Sequence, residues 1–274
     1  MKQKRYPTAL TIAGSDSGGG AGIQADLKTF SSIGVYGTSV ITAVTAQNTR
    51  GVNGIQSIST SIIAAQADAV CSDIRVDAVK LGMLHAPEIV DTVATILEKY
   101  AFKTVITDPV MIATSGDSLI LSDTVELYKT KLFPLTTLLT PNCMEAAVFT
   151  GLNVETADDL YPAGNALLRM GCEAVLMKGG HLEDEVMTDI LFIRNEKPYL
   201  LQGPRITTPN THGTGCTLSS AVAAYSALGH PLHIAVRLAK DYVHQAIVSG
   251  ADTYVGAGHG PLNHFFNPQS LQNR

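Results

Sequence analysis

The sequence predicts an α/β fold in which a mainly parallel β-sheet is covered by helices on both faces. Short apolar segments alternate with longer segments whose apolar residues have helical spacing, which is typical of this class. Of the 274 residues, 45% are hydrophobic and only 16% are charged, so most of the chain can pack into a core. Because no linker, repeat or low-complexity tract divides the chain, we expect residues 1–274 to form a single domain.

The predicted elements follow one another closely. Gly34 ends the first helix and Pro87 lies near the first turn of the third, positions at which these residue types are favoured. Strands are predicted at residues 10–13, 39–44, 78–82, 104–107, 138–140 and 174–178, with a shorter segment at 52–58 and a hairpin of 190–193 with 199–201. Helices are predicted at residues 24–32, 61–74, 87–100, 125–133, 142–150, 157–169, 214–228 and 233–249.

Charge and cysteine content exclude several classes of protein. The net charge of −5 argues against a surface for nucleic acid or for an anionic membrane. No apolar run is long enough to span a bilayer and no signal-peptide core is found, which predicts a cytoplasmic protein. Cys71, Cys143, Cys172 and Cys216 lie far apart without the spacing of a metal site, so we expect free thiols.

The most informative segment is residues 211–216, Thr-His-Gly-Thr-Gly-Cys, which is followed directly by a predicted helix. Gly213 and Gly215 lack a Cβ, so the backbone can turn its N–H groups toward one point. Together with the unpaired N–H groups at the start of the helix, they predict an anion site, which we interpret as a phosphate site with Cys216 at its mouth. The alternative is an ordinary glycine turn capped by Thr214.

A second glycine-rich loop, residues 14–22, follows the first predicted strand. It lacks the GxGxxG spacing of a dinucleotide site, and the chain contains no Gly-Lys-Ser/Thr of a Walker loop. A loop so rich in glycine brings the backbone close to a ligand. Asp26 lies one turn into the next helix, where the simplest interpretation is a carboxylate that favours the helix N-terminus.

Several residues with suitable chemistry directly follow predicted strands, where open parallel sheets bind their ligands. A phosphoryl transferase needs such a set, because carboxylates hold Mg²⁺, lysine neutralises phosphate and N–H groups stabilise the transferring group. Each residue alone has a simpler interpretation as a turn former, a helix acid or a solvated strand end, but their coincidence at one sheet edge favours a site. The residues are Gln47, Met83, Asp108, Asn142, Glu145 and Lys178.

These motifs closely resemble the bacterial hydroxymethylpyrimidine and phosphomethylpyrimidine kinases of thiamine synthesis. The strongest is AGSDSGGGAGIQADLK at residues 13–28, and the others follow in family order, so that the resemblance covers essentially the whole chain. They are AQNT at 46–49, KLGML at 80–84, DPVM at 108–111, TPN at 140–142 with EA at 145–146, MKGGH at 177–181 and the loop at 211–216. No single motif is sufficient, whereas the combination is highly specific.

The resemblance implies a ribokinase-like three-layer sandwich and two successive ATP-dependent phosphorylations. The first converts 4-amino-5-hydroxymethyl-2-methylpyrimidine to its monophosphate, and the second gives the diphosphate. By motif, the residues implied to line the pyrimidine pocket are Gly14, Asp26, Gln47, Met83 and Val110. Those implied for Mg²⁺ and ATP are Asp108 and Glu145 on the metal, Asn142 and Lys178 on phosphate, and Thr207, Thr214 and Lys240 as further nucleotide-side candidates. Gly213, Gly215 and the amide of Cys216 form the implied anion hole.

Cys216 is the candidate base of the reaction. Sugar kinases of the wider superfamily typically carry aspartate at this place, whereas this chain carries cysteine, as the pyrimidine kinases do. A helix N-terminus lowers the pKa of a thiol, so we expect a thiolate base near neutral pH to be feasible. Phosphoryl transfer through a loose transition state, however, asks little of a base.

Two other functions stay open on the sequence alone. Pyridoxal kinases also phosphorylate a hydroxymethyl group on a nitrogen heterocycle, and a non-catalytic sensor of a phosphate ligand could share the fold. The presence of Asp108, Glu145, Lys178 and Cys216 together favours an enzyme. We further expect a homodimer, a mobile flap at residues 48–58, and indirect roles near the phosphates for the histidines at 181 and 212.

Overall fold

The computed structural model describes residues 4–111, 119, 123–180 and 186–273. The strands in this part of the chain are β1 (Thr8–Asp16), β2 (Tyr36–Asn48), β3 (Gly51–Ser57), β4 (Ala78–Leu81), β5 (Val105–Thr107), β6 (Leu138–Leu139), β7 (Ala174–Lys178), β8 (Val186–Ile193) and β9 (Tyr199–Pro204). They form one sheet in the order β3-β2-β1-β4-β5-β6-β7-β8-β9. Of these described strands, only β3 and β8 run against the common direction.

The predicted three-layer arrangement is confirmed, because helices pack on both faces of the sheet. One face carries α1 (Gly22–Ile33), α7 (Thr214–Ala227) and α8 (Leu232–Gly250). The other carries α2 (Thr60–Cys71), α3 (Pro87–Tyr100), α4 (Thr124–Leu127), α5 (Cys143–Thr150) and α6 (Leu160–Arg169). The central strands are buried on both sides, which explains their apolar sequences. No helix in the described ranges has the length and apolarity needed to cross a membrane.

The elements differ from the sequence predictions mainly at their ends. α6 begins at Leu160 rather than at residue 157, because the Asp159 carboxylate accepts the backbone N–H groups of Glu155 and Thr156 and holds the preceding segment in a turn. The helix predicted at 125–133 is α only over Thr124–Leu127. It continues as a π-helical turn, Tyr128–Leu132, and a 3₁₀ turn, Phe133–Leu135.

Strand β2 is longer than predicted because its second half pairs with β3. Asn48 stands opposite Gly51, so the two strands form an antiparallel hairpin that continues beyond β1. The turn of this hairpin contacts the chain after α8: the backbone N–H of His259 donates to the carbonyl of Thr49 at 2.8 Å, and that of Gly258 donates to its hydroxyl at 3.2 Å. The segment expected to be a flap is therefore a supported hairpin, and its mobility stays a prediction.

The parallel direction of the strands determines where the site can lie. The chain leaves β1, β2, β4, β5, β6 and β7 at the same edge of the sheet, and it leaves β9 there as well. Ligands of open parallel sheets bind outside this carboxyl edge. Residues that are far apart in the sequence therefore meet there.

Candidate active site

A small apolar cluster lies at the carboxyl edge beside β1 and β4. Ala43, Met83 and Leu119 are buried in it, and Val110 packs against them. Gly14 allows this packing, because a Cβ at residue 14 would stand 2.4 Å from the Cε of Met83. The structure thus brings together Gly14, Met83 and Val110, three of the five residues predicted to line a pyrimidine pocket.

Gln47 lies at a β-bulge near the end of β2, at the same edge of the sheet. Its backbone N–H donates to the Ser17 hydroxyl at 2.8 Å, and its carbonyl accepts from that hydroxyl at 2.7 Å. The Oε1 of its side chain lies 3.1 Å from the hydroxyl of Thr45. These contacts fix the backbone and orient the amide of a residue that is only partly buried.

Asp26 is not placed as the sequence predicted. Its carboxylate is fully buried and pairs with Lys80, whose Nζ lies 2.9 Å from both carboxylate oxygens. The hydroxyls of Thr11 and Ser220 also donate to it. A carboxylate with these partners joins α1 to β4 and α7 and does not act as a charge at the helix N-terminus, so that interpretation is corrected. The predicted contact of Asp26 with a pyrimidine stays a prediction.

Asp108 and Lys178 form the polar centre of the edge. Asp108 follows β5 and Lys178 ends β7, and the Lys178 Nζ donates to Asp108 Oδ1 at 3.1 Å. The hydroxyls of Thr140 and Ser219 each lie 3.3 Å from an Asp108 oxygen. Burial by itself lowers the pKa of Lys178, but the charges of Asp108 and Glu145 outweigh it and the net pKa is raised. Lys178 is therefore a cation at neutral pH, paired with Asp108.

Asn142 and Glu145 form a capping box at the start of α5. Asn142 Oδ1 accepts from the Glu145 backbone N–H and Glu145 Oε2 accepts from that of Asn142, both at 2.8 Å. Burial raises the pKa of Glu145 to about 7; Asp108 adds to this shift, and Lys178 opposes it. The helix-acid interpretation is correct for Glu145, and it leaves the carboxyl near Asp108, where a cation would stabilise its ionised form.

The loop at residues 211–216, called here the phosphate loop, enters α7 through a glycine. Gly213 is the N-cap residue at φ +82°, a left-handed conformation that favours glycine. The Thr214 hydroxyl donates to the Thr211 carbonyl at 2.7 Å and does not cap the helix, which corrects the capped-turn alternative. A Cβ at Gly215 would lie 3.4 Å from both Asp108 Oδ2 and Lys178 Nζ, so the helix start is adjacent to the polar centre.

Cys216 lies in the first turn of α7, but its thiol differs from the sequence expectation. Burial raises its pKa to about 11; Lys80 opposes the shift, and Asp26 and Asp108 add to it. The predicted lowering by the helix N-terminus is therefore outweighed, and the thiol is protonated at neutral pH. In this structure the residue offers the first turn of α7 a backbone N–H rather than a thiolate.

The nucleotide-side candidates are more dispersed. Thr207 follows β9 and is exposed. Lys240 on α8 forms an ion pair with Asp189 of β8, whose other oxygen accepts the backbone N–H of Gly179 at 2.9 Å. Through Asp189, Lys240 is therefore linked to Gly179, the residue that follows Lys178, while its ammonium is paired with the Asp189 carboxylate. The predicted role of the histidine at 181 lies outside the described residues.

Asp16, Lys80 and Asp189 were not predicted to belong to the site. Each had a signal in the sequence: Lys80 and Asp189 are charges inside apolar strands, which require partners, and Asp16 precedes a run of glycines. Asp16 accepts from the backbone N–H of Gly18 at 2.7 Å and from His212 Nε2 at 2.9 Å. His212, within the phosphate loop, thus bonds to the end of β1, and its expected indirect role near the phosphates stays a prediction.

The chain is similar in sequence to known kinases. A family model described as "Phosphomethylpyrimidine kinase" matches residues 16–263. A hydroxymethylpyrimidine/phosphomethylpyrimidine kinase from Rhizobium meliloti (strain 1021) is 50% identical over 258 residues, which cover 94% of this chain and 96% of the relative.

Two solved structures extend the comparison to the fold. A phosphomethylpyrimidine kinase from Clostridium difficile 630 has a TM-score of 0.78 and 46% identity, and the match covers 88% of this chain and 99% of that one. An ADP complex of Bacillus subtilis pyridoxal kinase has a TM-score of 0.85 and 35% identity, covering 94% and 96%. The predicted ribokinase-like fold is thereby confirmed, and the chain belongs to the phosphomethylpyrimidine kinase family.

Proposed function

We propose that this protein phosphorylates 4-amino-5-hydroxymethyl-2-methylpyrimidine with ATP and then phosphorylates the resulting monophosphate to the diphosphate, for thiamine biosynthesis. The observation that carries the proposal is the apolar cluster of Met83 and Val110 at the same sheet edge as the Asp108–Lys178 pair and the phosphate loop. The relatives of nearly equal length are named for both activities. The proposed acceptor is thus a small heterocycle, and the donor is ATP.

The acceptor would bind between β1, β2 and β4. Met83 and Val110 offer apolar surface to the faces of a pyrimidine ring, and Gly14 keeps the backbone close. The Gln47 amide can donate and accept at once, so it can match a ring nitrogen and the adjacent amino group. Asp26 would support this arrangement through its bonds with Lys80 and Ser220.

The residues at the polar centre fit a magnesium nucleotide. Asp108 and Glu145 are two oxygen donors of the kind that Mg²⁺ prefers, and Asn142 lies beside them in the capping box. In the described part of the chain no group of three or more His, Cys, Asp and Glu could hold a metal, so water and phosphate oxygens would complete the shell. When bound, Mg²⁺ supplies positive charge to the phosphates.

The chain's own groups then position and neutralise the transferring phosphoryl group. Lys178 contributes a cation. The backbone N–H groups of Gly215 and Cys216, in the first turn of α7, can donate to phosphate oxygens, and the helix N-terminus favours negative charge there. Thr207, Thr214 and Lys240 are proposed on the nucleotide side, with Lys240 acting through Asp189 on the Gly179 turn. The acceptor proton leaves late, with little demand on a base.

A pyridoxal kinase is the second candidate, and one observation favours it. The B. subtilis pyridoxal kinase matches this chain with a TM-score of 0.85 over 94% of its length. Pyridoxal also presents a hydroxymethyl group, but it has no amino group to match the Gln47 amide. We therefore expect pyridoxal to be the poorer substrate.

The deciding experiment measures kcat/KM for hydroxymethylpyrimidine, its monophosphate and pyridoxal side by side, with ATP and Mg²⁺. The proposal requires turnover of both pyrimidines and a lower value for pyridoxal. A higher value for pyridoxal would establish the second candidate. A protein that binds the pyrimidine in calorimetry but consumes no ATP would instead be a sensor.

We also propose that the protein acts in the cytoplasm as a homodimer. Apolar side chains exposed on the described surface, among them Val44 on β2 and Ile62 on α2, provide area for association of two copies. Light scattering after gel filtration measures the mass directly. A mass near 29 kDa, that of one chain, would contradict the dimer.

A further inference from the structure

The Asp16 carboxylate at the end of β1 accepts hydrogen bonds from two different loops. It is buried, with 3% exposure, and accepts hydrogen bonds from three backbone N–H groups of the loop at residues 17–22, here the glycine loop. These donors are Gly18 at 2.7 Å, Gly20 at 3.1 Å and Ala21 at 2.8 Å. The fourth donor is Nε2 of His212, at 2.9 Å, which directly precedes the first glycine of the phosphate loop. One side chain therefore ties the two loops together.

The two loops pack so closely that a Cβ at either contacting glycine would clash with the other loop. A Cβ at Gly20 would lie 2.4 Å from the Cδ2 of the His212 ring. A Cβ at Gly213 would lie 1.9 Å from the Gly20 carbonyl oxygen. The Gly20 backbone thus lies against both the His212 ring and the Gly213 backbone, so the two loops are in direct contact at two successive residues of the phosphate loop.

The backbone of His212 is also held by the segment that follows α8. Its backbone N–H donates to the Gly260 carbonyl at 3.1 Å, and residue 212 forms a bridge with Pro261. Gly258 and His259 in turn bond to Thr49 in the turn of the β2–β3 hairpin. The phosphate loop is therefore connected both to the glycine loop and to the hairpin that carries Gln47.

Such fixation is needed because the phosphate loop is intrinsically pliable. Gly213 and Gly215 impose few backbone restrictions, yet the N–H groups that follow them must meet a phosphoryl group beside Asp108 and Lys178. A misplacement of about 1 Å can cost roughly a hundredfold in rate. Preorganisation of these N–H groups must therefore come from contacts outside the two glycines.

We propose that Asp16 and His212 are positioning residues for phosphoryl transfer: the hydrogen bond between them holds the phosphate loop against the glycine loop so that the first N–H groups of α7 face the transferring group. This inference rests on the proposed function. It assigns no contact with substrate to either residue. The pair acts through Gly213, and its removal should affect the transition state more than the bound acceptor.

The test compares three substitutions of His212. His212→Leu removes the ring nitrogen, His212→Asn keeps polarity but is too short to reach Asp16, and His212→Gln can present an N–H near the position of Nε2. His230→Leu is the matched control, because His230 is exposed just beyond the far end of α7, about 20 Å away along the helix.

We expect His212→Leu and His212→Asn to lower kcat for the first phosphorylation by about tenfold to a hundredfold, with the calorimetric Kd of the pyrimidine changed by less than about twofold. His212→Gln should recover most of the loss, and His230→Leu should match the parent protein. Amide exchange in peptides covering residues 211–218 should be faster in the Leu and Asn variants only.

Unchanged kcat in folded His212→Leu, or a Gln variant as poor as Leu, would overturn the positioning role. So would a loss of thermal stability with normal kcat per active site, which would mark the pair as structural only. If the Leu variant does not fold, the Asn variant gives the same decision. A parent protein without pyrimidine kinase activity would refute the proposed function separately, and the exchange comparison would still test whether the pair holds the loop.

Discussion

Cys216 stands in the first turn of α7, where an exposed thiol would have a lowered pKa, yet burial raises its pKa to about 11. Burial likewise raises the pKa of Glu145, to about 7. Residue type and position therefore identify both residues as site candidates, but the ionisation state depends on burial and on charges brought from distant strands. Chemistry at the residue scale follows from the fold.

Cys216→Ala tests the thiol directly. Because the thiol is protonated at neutral pH, we expect the variant to keep kcat for the first phosphorylation within about tenfold of the parent value. Steady-state kinetics at pH 7 and pH 9 provide the measurement. A loss of about a thousandfold in a correctly folded variant would restore the thiolate as a base.

Gln47→Leu tests recognition of the acceptor. Loss of one partner in a buried polar contact costs ~1–3 kcal/mol, so we expect kcat/KM for hydroxymethylpyrimidine to fall about tenfold to a hundredfold. Any pyridoxal activity should fall less, because pyridoxal lacks the amino group. Equal losses for the two substrates would show that Gln47 supports the pocket in general, through the contact of its side chain with Thr45.

Glu145→Gln tests the metal site. Glutamine can keep the capping box with Asn142 but removes a charge beside Asp108. We expect the Mg²⁺ concentration for half-maximal rate to rise about tenfold or more, with pyrimidine affinity nearly unchanged. Calorimetry of the pyrimidine without nucleotide is the control, and a comparable loss of affinity there would mean that Glu145 acts structurally.

The raised pKa of Glu145 also predicts how stability depends on pH. The folded protein holds this proton up to about pH 7, whereas the unfolded chain releases it near 4.5, so the folded state is favoured less as pH rises through this window. Across this window the free energy of unfolding falls by an amount on the order of 3 kcal/mol. In EDTA, Glu145→Gln should lack this decline and should exceed the parent in unfolding free energy at pH 8 but not at pH 5. Identical pH profiles from urea unfolding would contradict the shift.

At the scale of elements, strand ends were predictable and partners across the sheet were not. The apolar runs ending at Asp108 and Lys178 placed both residues at one edge, because parallel strands share a direction. The pair of Asp26 with Lys80 was not predicted, because Lys80 is 54 residues away and helical spacing carries no information about it. Lys240 likewise required knowledge of β8, whose first four residues were not predicted as strand.

The start of α7 gives a prediction about the phosphate loop as an element. Gly215 has ordinary helical geometry, and a Cβ there would lie 3.4 Å from Asp108 and Lys178, so Gly215→Ala should fold normally. Its methyl group would enter the space proposed for phosphate, and we expect kcat to fall by about a hundredfold. Gly203→Ala in β9 is the control, since a Cβ there meets nothing within 4 Å. Equal activities of the two variants would contradict the proposed anion site.

At the scale of the whole molecule, one buried ion pair links layers of the sandwich. Lys80 lies on β4 in the sheet and Asp26 on α1, and Ser220 of α7 joins the pair. Both charged side chains are fully buried, and Gly82 leaves room for the Lys80 ammonium, because a Cβ there would lie 2.8 Å from it. The sheet and one helical layer are therefore joined by charge as well as by apolar packing.

Lys80→Met should consequently destabilise the entire fold. It leaves the Asp26 carboxylate buried without its counter-charge, which costs ~3–5 kcal/mol, although the hydroxyls of Thr11 and Ser220 remain. Adding Asp26→Leu should recover part of this loss, because no buried charge is then left. Lys99→Met breaks the exposed pair with Asp68 and should have a far smaller effect. Urea unfolding of the three variants measures the differences, and similar values for Lys80→Met and Lys99→Met would show that the buried pair contributes no more than a surface pair.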